Sequence, residues 1–328
     1  MRCINKRILS LIASLTVMAV FSGGCGQREY AFPYDPEYDV SSFRIIDVDN
    51  PSVASPFAKD LCIVTQDIMN DEEVDMSQAH AAVLMDVARS QVMYAKNAHE
   101  QLAPASLTKV MTALLAMKYG SMDQVLTATS AVYITEEGAQ RLGLKAGDSM
   151  TLSQAMRIML INSSNDVAML VAEGIGGSVD EFVAMMNEEA KALGATNTNF
   201  KNPHGLSEPD HYSTAYDLYL IFNEAIKYDL FREIINMDSY STVYQDKNGA
   251  DKDVSIHSTN RYFAGEYEVP DHITLIGGKT GTTNAAGHCL IMLSRDKGGD
   301  MYVSVILRSA AREILYQEMT DLLDEIRK

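Results

Sequence analysis

The sequence predicts an α+β fold: an antiparallel sheet flanked by N- and C-terminal helices, with an inserted helical subdomain. Three observations predict it. Strand-like apolar runs lie towards both ends of the chain, helical periodicity fills the centre, and an amphipathic segment closes the sequence. LCIVT (61–65), AAVLMDV (81–87) and QVMYA (91–95) read as strands, the last two as a hairpin across Ala88-Arg89-Ser90. A helix follows over 106–119, then helices over 152–161, 164–174, 178–193, 213–227 and 229–236, each with apolar positions near the 3.6-residue period. Strands return at 239–245, 273–280, 286–295 and 301–308, and 311–327 forms the closing helix. The chain divides into a leader (1–25), a tether (26–58) and one domain (59–328) whose helical subdomain spans about 120–237. No internal repeat is visible.

With 328 residues, 47% hydrophobic and 22% charged, the chain can bury a substantial core and is not of disordered composition. Lys and Arg number 27 against 44 Asp and Glu, and residues 29–75 hold twelve acids but two bases. That balance excludes nucleic acid as a partner class. Arg2, Lys6 and Arg7 precede an apolar run from Ile8 to Phe21, the pattern of an export signal. The run is shorter than the ~20 residues needed to span a bilayer, so cleavage is favoured over an uncleaved anchor. Ser22-Gly23-Gly24-Cys25 resembles the lipobox of bacterial lipoproteins, which makes Cys25 a lipid-attachment candidate, although Ser22 stands where an aliphatic residue is usual. The acidic, proline-bearing tether could reach roughly 100 Å if extended. Cys3 and Cys25 fall in the leader, and Cys62 and Cys289 read as buried thiols, a disulfide between them being the less favoured alternative.

Three polar triplets interrupt apolar stretches. In PASLTKVMTALLAM, Ser106 and Lys109 share a helical face, so a desolvated lysine can act as base toward a serine nucleophile, with the helix N-terminus adding N–H donors for an oxyanion. The bland alternative is a capping serine with a snorkelling lysine. Ser163-Ser164-Asn165 breaks two apolar helices, where the residues either cap a helix or project into a cleft. Lys279-Thr280-Gly281 ends an apolar strand beside Gly277-Gly278. Two lysines in one cleft would depress each other's pKa, which suits one as base and one as anion anchor. Competing copies exist: Ser294-x-x-Lys297 fits a hairpin turn, and Ser258-Thr259-Asn260 matches the second triplet. His204, Glu208, Asp210 and His211 admit a zinc reading, but neither HExxH nor a cysteine pair is present and no metal or other cofactor is expected. Met156, Met159, Met169, Met185 and Met186 read as core filler.

The order Ser-x-x-Lys, Ser-x-Asn, Lys-Thr-Gly, with first residues 57 and 116 apart, is the signature of penicillin-binding proteins and serine β-lactamases. Over roughly residues 60–325 the chain closely resembles the low-molecular-mass D-alanyl-D-alanine carboxypeptidases, in YAKNAHEQLAPASLTKVMTALLAM, NPHGLSEPDHYSTAYDL, HSTNRYF and GGKTGTTNAAGHCL. HSTNRYF makes Ser258 and Asn260 a family landmark rather than the active-site triplet. The resemblance implies a serine β-lactamase/D,D-peptidase-like fold and a hydrolase that removes the terminal D-alanine of peptidoglycan stem pentapeptides through an acyl-enzyme. Ser106 would attack, Lys109 would be its base, Ser163 would relay a proton to the leaving amine, and Asn165 would bond the substrate backbone. Lys279, Thr280, Gly281 and the Thr282 side chain would receive the terminal carboxylate, and the N–H groups of Ser106 and Thr282 would form the oxyanion hole. Arg308 is the candidate for a further carboxylate contact, with Arg312 read as structural.

The partners so implied are peptidoglycan stem peptides, β-lactam antibiotics as inhibitors, and the outer face of the cytoplasmic membrane through the N-terminal anchor. Many relatives add an all-β domain and a C-terminal membrane helix; here no such domain is expected and anchoring falls to the N-terminus. Ser164 stands where relatives often have glycine, with no change of chemistry expected. The rival readings are a β-lactamase, for which no Glu-x-x-Leu-Asn is found between the second and third motifs, and a binding protein that grips without turnover.

Overall fold

The computed structural model describes residues 61–69 and 74–327. The leader, Cys25 and the tether therefore lie outside the described residues. β1 (Ala79–Asp86) and β2 (Gln91–Lys96) form the expected hairpin, and a 3-10 turn at Ala105–Thr108 runs into α1 (Lys109–Tyr119). Two short strands, β3 (Val125–Thr127) and β4 (Ser149–Thr151), precede α2 (Leu152–Ile161), α3 (Asn165–Gly176), α4 (Val179–Ala192), α5 (Ala215–Ala225) and α6 (Asp229–Ile235). The hairpin β5 (Ser239–Gln245) and β6 (Asp251–His257) leads to β7 (Ile273–Thr283), β8 (Gly287–Asp296), β9 (Met301–Ser309) and the closing α7 (Arg312–Asp324).

The main sheet is antiparallel in the order β2-β1-β9-β8-β7. Side chains alternate across a strand, so β1 sends Ala81, Val83 and Met85 to one face and Ala82 and Leu84 to the other. The first face packs against the helical layer; the second joins Leu315, Tyr316, Met319, Leu322 and Leu323 of α7 in a separate core. Both faces being covered explains why these strands read as nearly unbroken apolar runs.

α1 lies inside the helical layer, with every residue from Lys109 to Ala116 buried. It packs against α2, α3, α4 and α5, which leaves no solvated face before the last turn, where Lys118 and Tyr119 are exposed. α2 begins at a capping box in which the Thr151 hydroxyl accepts from Gln154 N and the Gln154 side chain accepts from Thr151 N. The helix thus ends in register to present Asn162 and Ser163 to the cleft.

Two expectations change. A second sheet, β3-β4-β5-β6, accompanies the helices. β3 and β4 are three residues each and β6 buries Val254 and Ile256 alone, too few apolar positions for a strand signal. Residues 61–65 form no strand although Cys62 and Val64 are buried and Ile63 is exposed. That alternation imitates a strand, but α5 satisfies the backbone instead: Cys62 N donates to Tyr219 Oη (3.1 Å) and Cys62 O accepts from Tyr216 Oη (3.0 Å). Cys62 and Cys289 are both free buried thiols.

Tyr219→Phe should therefore leave Cys62 N without an acceptor, a local loss of about 1–3 kcal/mol. Hydrogen exchange should show Cys62 protection falling ~10-fold or more while β8 and β9 keep theirs; unchanged exchange at Cys62 would contradict this docking.

Candidate active site

A cleft of about 680 Å³ gathers the turn before α1, the α2–α3 junction and β7. In a 3-10 turn residues three apart eclipse one another. Ser106 lies in that turn and Lys109 follows it directly, so Lys109 Nζ comes to 2.9 Å from Ser106 Oγ. Because α1 is central, Lys109 is fully buried. Its Nζ also donates to Asn165 Oδ1 (2.6 Å) and to the carbonyl of His204 (2.7 Å). Burial above all, and then the charge on Lys279, hold the amine well below its ordinary pKa, with Asp166 opposing. A neutral amine has two N–H bonds and one lone pair. The amide and carbonyl oxygens can only accept and take both N–H bonds, which turns the lone pair on Ser106 Oγ–H.

The α2–α3 junction supplies the second wall. Ser163 has φ +65°, a backbone conformation uncommon for a residue with a Cβ, which swings its hydroxyl into the cleft between two helix ends. Ser164 is the residue before α3 but does not cap it; its Oγ donates to Asn162 Oδ1 (2.7 Å). Asn165 opens α3 and is held by its own N–H on Gln140 O (2.9 Å). Next to it, buried Asp166 accepts from the N–H groups of Leu142 (3.0 Å), Gly143 (2.7 Å) and Leu144 (3.0 Å). This carboxylate fastens the loop whose residues 136–140 rim the cleft.

β7 supplies the third wall. Lys279 is 1% exposed and donates to Ser163 Oγ (2.9 Å) and Thr280 O (2.9 Å), with burial lowering its pKa to about 7. Thr280 and Thr282 share one side of the strand, where Thr280 Oγ1 meets Thr259 Oγ1 at 2.6 Å and Thr282 Oγ1 meets His288 Nδ1 at 3.2 Å. A Cβ on Gly281 would stand 3.0 Å from both Ser106 N and Ala105 Cβ. Glycine there lets β7 lie against the nucleophile's turn.

The PHGLSEPDHYST segment supports that turn from outside. Gly205 has φ +89° and a Cβ there would fall 1.8 Å from Ala105 O, so only glycine fits. His211 Nδ1 accepts from Lys201 N (3.1 Å), so Nε2 carries the proton and donates to Thr108 Oγ1 (3.0 Å), which donates to Ala105 O (2.8 Å). His204 Nδ1 accepts from Leu206 N (3.1 Å). Burial lowers His204 to about 3 and His211 to about 4, so both are neutral at pH 7. Among the described residues no three His, Cys, Asp or Glu side chains gather as a metal centre.

Residues 66–310 match the family model described as D-alanyl-D-alanine carboxypeptidase. The chain belongs to that family. It is similar to the D-alanyl-D-alanine carboxypeptidase DacF of Bacillus subtilis, with 35% identity covering 75% of this chain and 61% of the relative. It is also similar to DacC of Escherichia coli, with 33% identity covering 76% and 62%. The chain thus spans about three fifths of the length of these relatives. Among solved structures it is similar to a Streptomyces DD-transpeptidase, with a TM-score of 0.69, 25% identity, and coverage of 76% of this chain and 96% of that one.

The three triplets expected from the sequence meet around one cleft in two hydrogen-bonded groups: Lys109 joins Ser106 and Asn165, Lys279 joins Ser163 and the Thr280 carbonyl, and Gly281 and Thr282 line the cleft beside them. Arg308 does not join them. It sits at φ +55° in the bulge between the His288–Ser309 and Leu290–Ile306 pairs, exposed and outside the cleft lining, whereas Arg261 and Arg312 do line it. The His204 carbonyl, Thr259, Arg261 and His288 were not singled out beforehand. HSTNRYF contains two of them, but a landmark motif gives no clue to which atoms point into a cleft.

Asp166→Ala should cost about 2–4 kcal/mol by orphaning three loop donors, seen as a lower denaturant midpoint at unchanged m-value; an unchanged midpoint would show that the loop does not depend on this carboxylate.

Proposed function

We propose that this chain is a serine D,D-carboxypeptidase that removes the terminal D-alanine of peptidoglycan stem pentapeptides through an acyl-enzyme on Ser106, and that penicillins acylate the same serine. The observation that carries the proposal is the buried Lys109 Nζ within hydrogen-bond reach of Ser106 Oγ, with Asn165 Oδ1 and the His204 carbonyl as its two other partners, so that the neutral amine keeps its lone pair for Ser106. As Oγ bonds to the scissile carbonyl carbon, its proton passes to Lys109 Nζ. The oxyanion is received by the N–H groups of Ser106 and Thr282, which the close approach of Gly281 to Ser106 brings to one side. The C–N bond then breaks as the proton on Lys109 passes by way of Ser163 Oγ, itself hydrogen-bonded to Lys279, to the departing amine, which returns Lys109 to its neutral form. Water hydrolyses the ester, with Lys109 again as base. Asn165 bonds the peptide backbone of the substrate. Lys279, Thr280 and Thr282 bind its terminal carboxylate, and Arg312 and Arg261 stand beside them in place of Arg308.

The family membership and the printed activity of the relatives support this reading. The leader-like N-terminus and Cys25 support an extracytoplasmic enzyme tethered to the outer face of the cytoplasmic membrane. Among the described residues no helix is long and apolar enough to cross a membrane.

The test pairs a fluorescent penicillin with a peptide ending in D-Ala-D-Ala. Persistent labelling with D-alanine release, both reduced at least ~10³-fold in Ser106→Ala, is the expected result. Rapid antibiotic turnover would favour the β-lactamase reading, and neither signal would leave a binding protein. Insensitivity to chelators is expected in the same assay.

The two lysines also set a pH profile. Lys109 must be neutral to accept a proton, so kcat/KM should rise as it deprotonates; Lys279 must be charged to hold a carboxylate, so kcat/KM should fall above about 7 in the free enzyme. Lys279→Arg, whose guanidinium keeps its charge, should shift the alkaline limb upward, and an unmoved limb would assign it to another group.

A further inference from the structure

We propose that His288 is a positioning residue: its Nδ1–H donates to Thr282 Oγ1 and so directs the hydroxyl proton of Thr282 toward the terminal carboxylate of the substrate. The inference rests on the carboxypeptidase reading and adds a residue to it.

Thr282 and His288 are directly paired in the β7–β8 ladder, so their side chains stand on the same side of the sheet. Nδ1 lies 3.2 Å from Oγ1, and both residues line the cleft. A threonine hydroxyl has one proton to give and two lone pairs. With the proton on His288 Nδ1, the imidazole fills one lone pair of Thr282 and leaves the hydroxyl proton for an anion. With Nδ1 unprotonated, the Thr282 hydroxyl donates to it, and Thr282 turns only lone pairs toward the carboxylate. A bound carboxylate therefore selects the Nδ1–H arrangement, and the hydroxyl becomes a charge-assisted donor.

The other threonine on this side of β7 is treated alike. Thr280 Oγ1 has a dedicated hydroxyl partner in Thr259 at 2.6 Å. Each of these two cleft hydroxyls thus has one neighbour that can saturate a lone pair. Burial above all lowers the pKa of His288, and the charged groups that act on it come from α7, Arg312 lowering it and Glu313 raising it, with a net fall below the ordinary value. The ring is therefore neutral at pH 7, and its tautomer rather than its charge decides which way Thr282 points.

His288→Phe keeps a ring without a donor, and His288→Asn offers an amide N–H near the place of Nδ1–H. Steady-state kinetics on a peptide ending in D-Ala-D-Ala and on the same peptide with a C-terminal amide separates positioning from packing. The expected result is a ~10-fold higher KM for the acid peptide in the Phe variant, with kcat within about 3-fold, because the backbone N–H of Thr282 is untouched. The Asn variant should recover most of the loss, and the amide peptide should not distinguish the Phe variant from the parent. An unchanged KM in the Phe variant, or an equal loss on the amide peptide, overturns the assignment of His288 alone. Absence of turnover by the parent enzyme overturns the carboxypeptidase reading and this inference with it.

Discussion

Everything in the cleft depends on an amine sealed from water. A lysine placed in the middle of a helical layer cannot hold an ammonium ion cheaply, since the charge loses its hydration without a carboxylate in contact to replace it. Lys109 meets only neutral oxygens, an amide, a carbonyl and a hydroxyl. Two of these are obligate acceptors and the third is the nucleophile. Geometry and desolvation thus act together: one lowers the proton affinity of the amine, the other determines where its lone pair points. The cation on Lys279 reinforces the effect by lowering the proton affinity of Lys109 further.

This arrangement requires backbone that no single helix or strand would supply. Ala105 (φ +48°) and Ser163 (φ +65°) both adopt the left-handed region without being glycine. Such residues cost on the order of 1–3 kcal/mol each and persist where the surroundings over-determine them. Ala105 is bracketed by Gly205 and Gly281, whose missing Cβ atoms allow one loop and one strand to lie against its peptide, and its carbonyl receives the Thr108 hydroxyl. Ser163 is held between two helix ends, with Lys279 on its hydroxyl. The nucleophile's turn and the proton-relay position are therefore strained in place by rigid neighbours, which is how a reaction centre is preorganised rather than assembled on binding.

The supports are also neutral by design of their surroundings. His204 and His211 are buried deeply enough to stay unprotonated at pH 7, and each offers Nδ1 to a backbone N–H. His211 Nε2–H donates to Thr108 Oγ1, whose hydroxyl donates to the Ala105 carbonyl, a short chain that ends at the residue before the nucleophile. A charged ring in either place would raise the local potential and disturb the balance between the two lysines. The acidic counterweight, Asp166, is spent on loop N–H groups rather than on Lys109.

By itself the sequence determined the fold class, most of the helices, the four long strands of the main sheet outside β2 together with the β1–β2 hairpin, and the three triplets. These follow from local periodicity and from polar residues stranded in apolar runs, signals that need no knowledge of partners. Only the tertiary structure decided the rest. Residues 61–65 alternate like a strand yet take their hydrogen bonds from two tyrosines of α5, because burial period and strand pairing are different properties. The short strands β3 and β4, and the mostly polar β6, exist through pairing, not through composition. Arg308 and Arg312 are four residues apart and indistinguishable in sequence; a bulge at the end of β9 turns the first away and the start of α7 presents the second to the cleft. Likewise no periodicity could pair His288 with Thr282 or aim the His204 carbonyl at Lys109, since those contacts are created by strand register and by loops that meet across 95 residues of chain.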